Sequence, residues 1–360
     1  MKKIKAIILS NELPNDHLLW VKACEKFKEQ LEYHIVNLTQ NNWLDEIQSF
    51  PFEIFLAKPP GLTALFKQLY DERIYILGKV LNYEIFPSPE EIFIYENKRL
   101  LSFWCKANGI PHPSTHVFYS REEAESFINT SNIPLVAKTN IGASGSGVKI
   151  LHDIKEITIY IQKSFSQRGA PKRIGPNLDK GGLLKRGFHY VFHPTDIPKK
   201  LSIYKSKCLD RQAGFVILQE YIPHSFEWRV VRIGDSFFAH KKLKLGEKAS
   251  GSLKKGYDKP PLALLDFVKN ITDRHQFFSQ AIDIFETGQG YLVNEMQCIF
   301  GQSESYQMLV NGKPGRYRFI EGKWTFEEGD FARNQCYDLR IEFLIEKCSK
   351  STLYTSLKNS

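Results

Sequence analysis

Lys138 ends the apolar run NIPLVAK and is followed by TNIGASGSGV, with three glycines and two serines between positions 142 and 147. Lysine is rarely buried and glycine weakens regular structure, so the pairing asks for a reason other than packing. Glycines let a backbone turn its N–H groups toward an anion with no Cβ in the way. Gly142, Gly145 and Gly147 supply that freedom, and Ser144 and Ser146 add hydroxyl donors. With Lys138 as a point charge the stretch reads as a phosphate cradle; without a ligand it is a mobile hairpin tip. GVKIL (147–151) then reads as a second strand. Strand, glycine loop, strand excludes both GxxxxGK[ST] and GxGxxG, which lead from a strand into a helix.

Other polar features follow in order: Lys98, Gln219-Glu220-Tyr221-Ile222, Glu227, Arg229, the lysines between 241 and 244, Asp283, Glu295 and Gln297. Together with Lys138 and its loop, this ordered set resembles the ATP-grasp superfamily of carboxylate–amine ligases, of the RimK, glutathione synthetase and D-Ala–D-Ala ligase kind. The resemblance covers about residues 96–300, with an α/β unit before it. It implies ATP bound between two α+β lobes, a carboxylate activated as acyl phosphate, attack by an amine or similar nucleophile, and release of ADP and phosphate. Such a site needs cations, free backbone N–H groups and a divalent metal, because three phosphates are held while one moves.

By that resemblance Lys98 and Lys138 contact the α- and β-phosphates, and the glycine hairpin closes over ATP as a lid. In LQEYIP, Gln219 lies by the adenine edge, the Glu220 carbonyl accepts from the exocyclic amine, and the Ile222 N–H donates to the ring, since Pro223 has no N–H. Tyr221 belongs to the same segment. Glu227 binds the ribose, and Arg229, on the same strand face, meets the γ-phosphate or acyl phosphate. Asp283 and Glu295, on neighbouring strands, suit one or two Mg²⁺ ions. The family's Glu-x-Asn is here Glu295-Met296-Gln297, whose longer amide side chain puts the second metal position in question. That departure motivates the alternative of a catalytically inactive nucleotide-binding scaffold or regulator.

The elements that must position these residues read as mixed α/β (α+β). Residues 1–92 alternate short apolar runs with helical patterns, as in a small parallel unit, with a helix from about Leu62 to Leu81 and the prolines of EIFPSPEE ending it. Residues 93–222 form one lobe with the hairpin and a basic stretch, 164–214, that reads as a long loop. Residues 223–350 form a second lobe carrying the metal ligands, with Gly234-Asp235 as a hairpin turn, and 351–360 is a tail. The 360 residues carry 49 Lys and Arg against 40 Asp and Glu, a net charge of +9 that favours anionic partners without choosing among them. The six cysteines are scattered, with no CxxC pair, which fits a reducing cytoplasm. No run approaches a membrane span. A nucleic-acid reading lacks an aromatic-interleaved basic motif.

The expected partners are a small-molecule or peptide carboxylate and an amine, with a homodimer as one assembly the reading allows. Candidates for gripping an anionic substrate are Lys58, Arg73, Arg173, Lys185, Arg186, Lys254, Lys255 and Arg316. His240 and His189 are the candidate general bases.

Overall fold

The structure, a computed structural model, describes residues 3–142, 145–173, 196–245, 248–249 and 254–358. Ser144, Lys185, Arg186 and His189 lie outside the described residues. Strands β1 (Ile4–Ser10), β2 (Leu31–Asn37), β3 (Ile54–Ala57) and β4 (Ile85–Phe86) form an all-parallel sheet in the order β2-β1-β3-β4. Ile7, Ile8 and Leu9 of β1 are all fully buried, because helices cover both faces of a parallel sheet and its central strands lose alternation. Helices α1 (Leu18–Lys26), α2 (Trp43–Gln48) and α3 (Ala64–Tyr75) are the crossovers, and α3 runs on as a π-helical turn over Ile76–Val80. EIFPSPEE does not simply end the unit. Ile85 and Phe86 add the fourth strand, and Pro89 opens α4 (Pro89–Ile94), with Ser88 and Glu91 making a capping box. A proline at the first helical position has no N–H to waste, so it starts this helix.

Helix α5 (Lys98–Ala107) leads into a second, antiparallel sheet of β5 (Thr115–Phe118), β6 (Leu135–Lys138), β7 (Val148–Leu151) and β8 (Val216–Glu220), ordered β5-β8-β6-β7. The expected hairpin is β6–β7, with Lys138 opposite Val148. Helices α6 (Arg121–Ile128) and α7 (Ile154–Ser164) supply Ala124, Ile128, Ile157 and Ile161 to its core. The basic stretch is not a structureless loop throughout, since Asp196–Leu209 forms helix α8.

The third sheet holds β9 (Phe226–Ile233), β10 (Ser236–Leu245), β11 (Lys248–Ala249), β12 (Lys255–Gly256), β13 (Ser279–Thr287), β14 (Gly290–Gln297), β15 (Leu309–Val310), β16 (Lys313–Ile320) and β17 (Lys323–Glu328). Its main path is β14-β13-β9-β10-β16-β15, antiparallel throughout. Helix α9 (Leu262–His275) and α5 cover one face, where Trp228, Val230, Ile282 and Met296 meet Leu264, Val268 and Leu101. The opposite face carries the alternating polar residues. Helix α10 (Tyr337–Lys358) returns to the parallel sheet and places Tyr337, Ile341 and Leu344 in its core.

One link ties the first two units together. Asp210 Oδ1 accepts from the Ala64 N–H, 2.8 Å away at the first turn of α3, and Oδ2 accepts from Lys172 Nζ at 2.5 Å and Gln212 Nε2 at 3.0 Å. The Gln212 amide also brackets Ile141 at the start of the glycine loop, donating to its carbonyl at 2.7 Å and accepting from its N–H at 2.9 Å. Asp210 is thus a negative charge at a helix N-terminus and the pin of an interlobe clasp. Asp210→Ala should cost about 1–3 kcal/mol of stability and open Lys172 and Arg173 to faster tryptic cleavage, as read by thermal unfolding and a digestion time course.

Candidate functional site

The β9–β10 turn sets the site. With Gly234 in the left-handed region (φ +54°) and Ile233 opposite Ser236, the hairpin register puts Glu227 opposite Lys242 and Arg229 opposite His240. On the other side of β9, Arg229 faces Asp283, and Asp283 faces Glu295 on β14. Facing residues of an antiparallel pair share a sheet face, so all six side chains project from one face.

A polar network joins these side chains apart from His240. Arg229 grips Asp283 through two bonds, Nε to Oδ1 at 2.7 Å and Nη2 to Oδ2 at 2.9 Å, and Nη2 also donates to Gln297 Oε1 at 3.2 Å. Lys242 Nζ lies 2.7 Å from both Glu227 Oε2 and Asp283 Oδ2. Gln297 Nε2 donates to Glu96 Oε1 at 3.1 Å, and Lys98 Nζ to Glu96 Oε2 at 3.3 Å. Lys98 also donates to the Gly142 carbonyl at 3.1 Å and stands 3.8 Å from Glu295. Lys138 Nζ donates to Asn294 Oδ1 at 3.0 Å, and Asn294 Nδ2 to Glu227 Oε1 at 3.4 Å. Lys98 and Lys138, from the second unit, therefore meet acids and amides of the third sheet inside one cleft.

Burial and charge act against each other here. Burial would lower the Arg229 and Lys242 values, but their carboxylate partners outweigh it and both are raised. Asp283 is held well below the usual carboxylate range by Arg229 and Lys242, against the opposing effect of its burial. Burial raises Glu96 despite Lys98. Lys138, lacking a directly bonded carboxylate, is pushed down to about 8 by burial, with Glu295 opposing and Lys98 reinforcing the shift.

The glycine loop is shaped by close approach. A Cβ on Gly147 would stand 1.8 Å from Thr139 Oγ1, so only glycine fits, and Gly145 sits at φ +63°. The Ser146 carbonyl accepts from the Arg173 N–H at 2.7 Å, tying the loop to the basic stretch.

The LQEYIP segment departs from expectation in its side chains. Gln219 Nε2 donates to Thr115 Oγ1 at 2.8 Å, so the side chain expected at a base edge is a link between β5 and β8, where Thr115 and Gln219 are paired. The Glu220 N–H donates to the Ser114 carbonyl at 2.9 Å, the Tyr221 hydroxyl accepts from Lys244 Nζ at 2.9 Å, and the Ile222 carbonyl stands 2.7 Å from His224 Nδ1.

Several residues expected to grip substrate are committed to neighbours. Lys58 binds Asp16 at 2.6 Å, Arg316 binds Glu327 at 2.8 Å and Ser236 at 3.0 Å, and Lys255 pairs with Glu304. Arg73 donates to the Gln40 carbonyl at 3.2 Å.

Two participants, Asn294 and Glu96, were not singled out from sequence, and Lys242, one of the lysines between 241 and 244, was in the ordered set without a role of its own. The two-residue turn at Gly234-Asp235 gives it one, placing Lys242 opposite Glu227. Asn294 was missed because it depends on a β-bulge. Asp283 pairs with Glu295 but Ile284 pairs with Val293, so Asn294 is the extra residue on β14. Glu96 is 2% exposed and sits at φ +51°, an uncommon conformation for a non-glycine residue, between the end of α4 and the start of α5.

Asp283, Glu295 and Gln297 offer oxygen donors on this face, and hard oxygen donors suit Mg²⁺. Among the described residues no group of three or more His, Cys, Asp and Glu side chains is arranged for a metal. The donor set reaches three only through the Gln297 amide, whose oxygen points into the cluster toward Arg229.

No family model matches this chain, and no curated protein matches it. Solved structures do. It matches D-alanine–D-alanine ligase from Bacillus anthracis with a TM-score of 0.53 and 13% identity, over 97% of this chain and 99% of the other. A RimK domain ATP-grasp protein from Sphaerobacter thermophilus matches with a TM-score of 0.51 and 16% identity, over 81% of this chain and 90% of that one. An ADP complex of N5-carboxyaminoimidazole ribonucleotide synthetase matches with a TM-score of 0.52 and 13% identity, over 83% and 71%. What these matches show is a shared fold, the ATP-grasp fold named for the Sphaerobacter thermophilus protein.

Proposed function

We propose that this protein is an ATP-dependent carboxylate–amine ligase acting in the cytoplasm, which activates a carboxylate as acyl phosphate and joins it to an amine or similar nucleophile. One observation carries the reading. Lys98, Arg229 and Lys242 are paired in one cleft with Glu96, Glu227, Asp283 and Glu295, and Lys138 joins them there on the Asn294 amide. A ligand that displaces such pairs must offer anions to the cations and a cation to the acids, and Mg·ATP offers both. Bound Mg²⁺ would neutralise phosphate charge during transfer, held by Asp283, Glu295 and Gln297.

The chain's own groups do the rest. Lys138 and Lys98 turn from Asn294 and Glu96 toward phosphate oxygens, and the backbone of Gly145–Gly147 closes over them. Arg229, fixed at two points by Asp283, presents its remaining donors to charge that develops on the transferring phosphoryl group. Glu227 and the backbone of 220–222 take the ribose and the base. The specific observation favouring a nucleotide-binding scaffold instead is that both Asp283 oxygens are satisfied internally; MgATP binding without ADP release on any carboxylate and amine pair would select that reading.

Lys138 supplies the test. Its value near 8 lies below that of an unfolded lysine, so its buried charge opposes folding at neutral pH, and that opposition is relieved as pH rises from about 8 to 10. Phosphate beside it must raise the value again. At pH 8, MgATP binding should therefore draw in about half a proton, measured by titration calorimetry in two buffers of different ionisation enthalpy. Lys138→Met should abolish the uptake and weaken ATP binding while leaving stability unchanged or improved. MgATP binding with no uptake, or with an unaltered dissociation constant in the variant, counts against Lys138 as a phosphate ligand.

A further inference from the structure

His240 lies on the site face but shares no hydrogen bond with the charge network among the described residues. It faces Arg229 across β9–β10 and is 2% exposed. Its Nδ1 stands 2.8 Å from the Gln307 carbonyl. A carbonyl only accepts, so Nδ1 carries the hydrogen and Nε2 keeps its lone pair. The Gln307 side chain is held as well: its Nε2 donates to Gln302 Oε1 at 2.8 Å, and Gln302 Nε2 donates to the Glu304 and Ala332 carbonyls at 2.7 and 3.0 Å. Burial, with Arg229 and Lys255 nearby, pushes the imidazole down to about 3, so it is neutral at working pH.

Among the described residues none donates to Nε2. A ring fixed at one nitrogen and with no described donor at the other, beside the arginine assigned to the acyl phosphate, has an acceptor to offer. The Tyr257 ring is 6.1 Å from the imidazole, and the Tyr306 ring 5.3 Å from that of Tyr257.

We propose that His240 Nε2 accepts a hydrogen bond from the N–H or O–H of the incoming nucleophile and so fixes which way its attacking lone pair points. The inference rests on the ligase reading and adds a specificity: the nucleophile bears a hydrogen on or beside the attacking atom. A lone pair this weakly basic takes a hydrogen bond and leaves the proton in place. The nucleophile's lone pair forms the new bond to the acyl carbon, the acyl C–O bond to phosphate breaks with its electrons going to the phosphate, and the nucleophile's proton leaves on that phosphate.

The test compares His240→Asn with His240→Gln. Asparagine keeps an N–H for the Gln307 carbonyl but has nothing at the Nε2 position; glutamine reaches that position with an amide. A carboxylate panel is first read for acyl phosphate formation by positional isotope exchange in [γ-¹⁸O]ATP, and hydroxylamine then serves as the N–H nucleophile. In H240N, MgATP affinity and isotope exchange should hold within about twofold while the KM for hydroxylamine rises about tenfold; H240Q should recover part of it. An unchanged KM in H240N overturns the proposal, as does a parallel loss of ATP affinity, exchange and thermal stability, which would mark a packing role. Failure of the unaltered protein to bind MgATP or to exchange with any carboxylate overturns the ligase reading, and this one with it.

Discussion

Arg229→Ala should lose turnover on the order of 10³-fold, the scale seen when a preorganised donor to developing charge is removed, with a smaller change in ATP affinity. The geometry explains why the effect falls on kcat. Arg229 is held by two bonds to Asp283 and one to Gln297, so its orientation is settled before any ligand arrives. Lysine at this position keeps a charge but cannot match the two-point grip, so R229K should recover little. A stability effect accompanies the catalytic one. Asp283 is 1% exposed, and losing the charge-assisted bonds should cost about 2–3 kcal/mol.

The acid limb gives an independent reading. Because the folded value of Asp283 is depressed, its contribution is present above the unfolded value near 4 and is lost as pH falls through the folded value. In R229A that value rises, so acid unfolding should begin at a higher pH than in the parent protein. Pairing R229A with Asp283→Asn in a double-mutant cycle should show strong coupling. Independent, additive losses would mean that the grip seen here does not position the arginine.

Lys242→Met should be the most destabilising single change in the cleft. Lys242 bridges Glu227 and Asp283, both buried, and removing it leaves two carboxylates sharing a poorly solvated space. Breaking a buried pair in this way costs about 3–5 kcal/mol. The folded value of Lys242 is raised, so its contribution is complete below the unfolded lysine value near 10.4 and fades as pH climbs through the folded one. The gap in denaturant midpoint between parent and variant should therefore stay constant from pH 6 to 9 and narrow above. Adding Glu227→Gln to the methionine variant should restore part of the loss, since it removes one of the stranded charges. If Lys242→Met leaves the midpoint unmoved, the bridge is solvated and contributes little.

The same residues show where sequence reading stops. Alternation along β9 put Glu227 and Arg229 on one face, and Gly234-Asp235 read as a hairpin turn; the register that sets Lys242 and His240 against them came from the structure. The strand–glycine loop–strand order identified the β6–β7 hairpin, because both its flanks are short β-rich runs. Pro89 was misjudged for a local reason: the same residue breaks a helix in its interior and begins one at its first turn. Helix α8 was missed because its lysines and its place beside a glycine-dotted stretch hid a weak amphipathic pattern.

By itself the sequence determined what short-range physics controls: period-2 and period-3.6 runs, tight turns, and the residue types that handle phosphate. It carried the fold class and most of the polar cast in order along the chain. Only the tertiary structure decided who meets whom. Lys98 reaches the Gly142 carbonyl, Lys138 reaches Asn294 across 156 positions, Glu96 is buried between two helices, and Asp210 pins the glycine-loop lobe to α3. These contacts depend on how three sheets pack and on one bulge in β14. Neither leaves a periodic trace, because a contact between distant segments is fixed by the sum of all the packing around it.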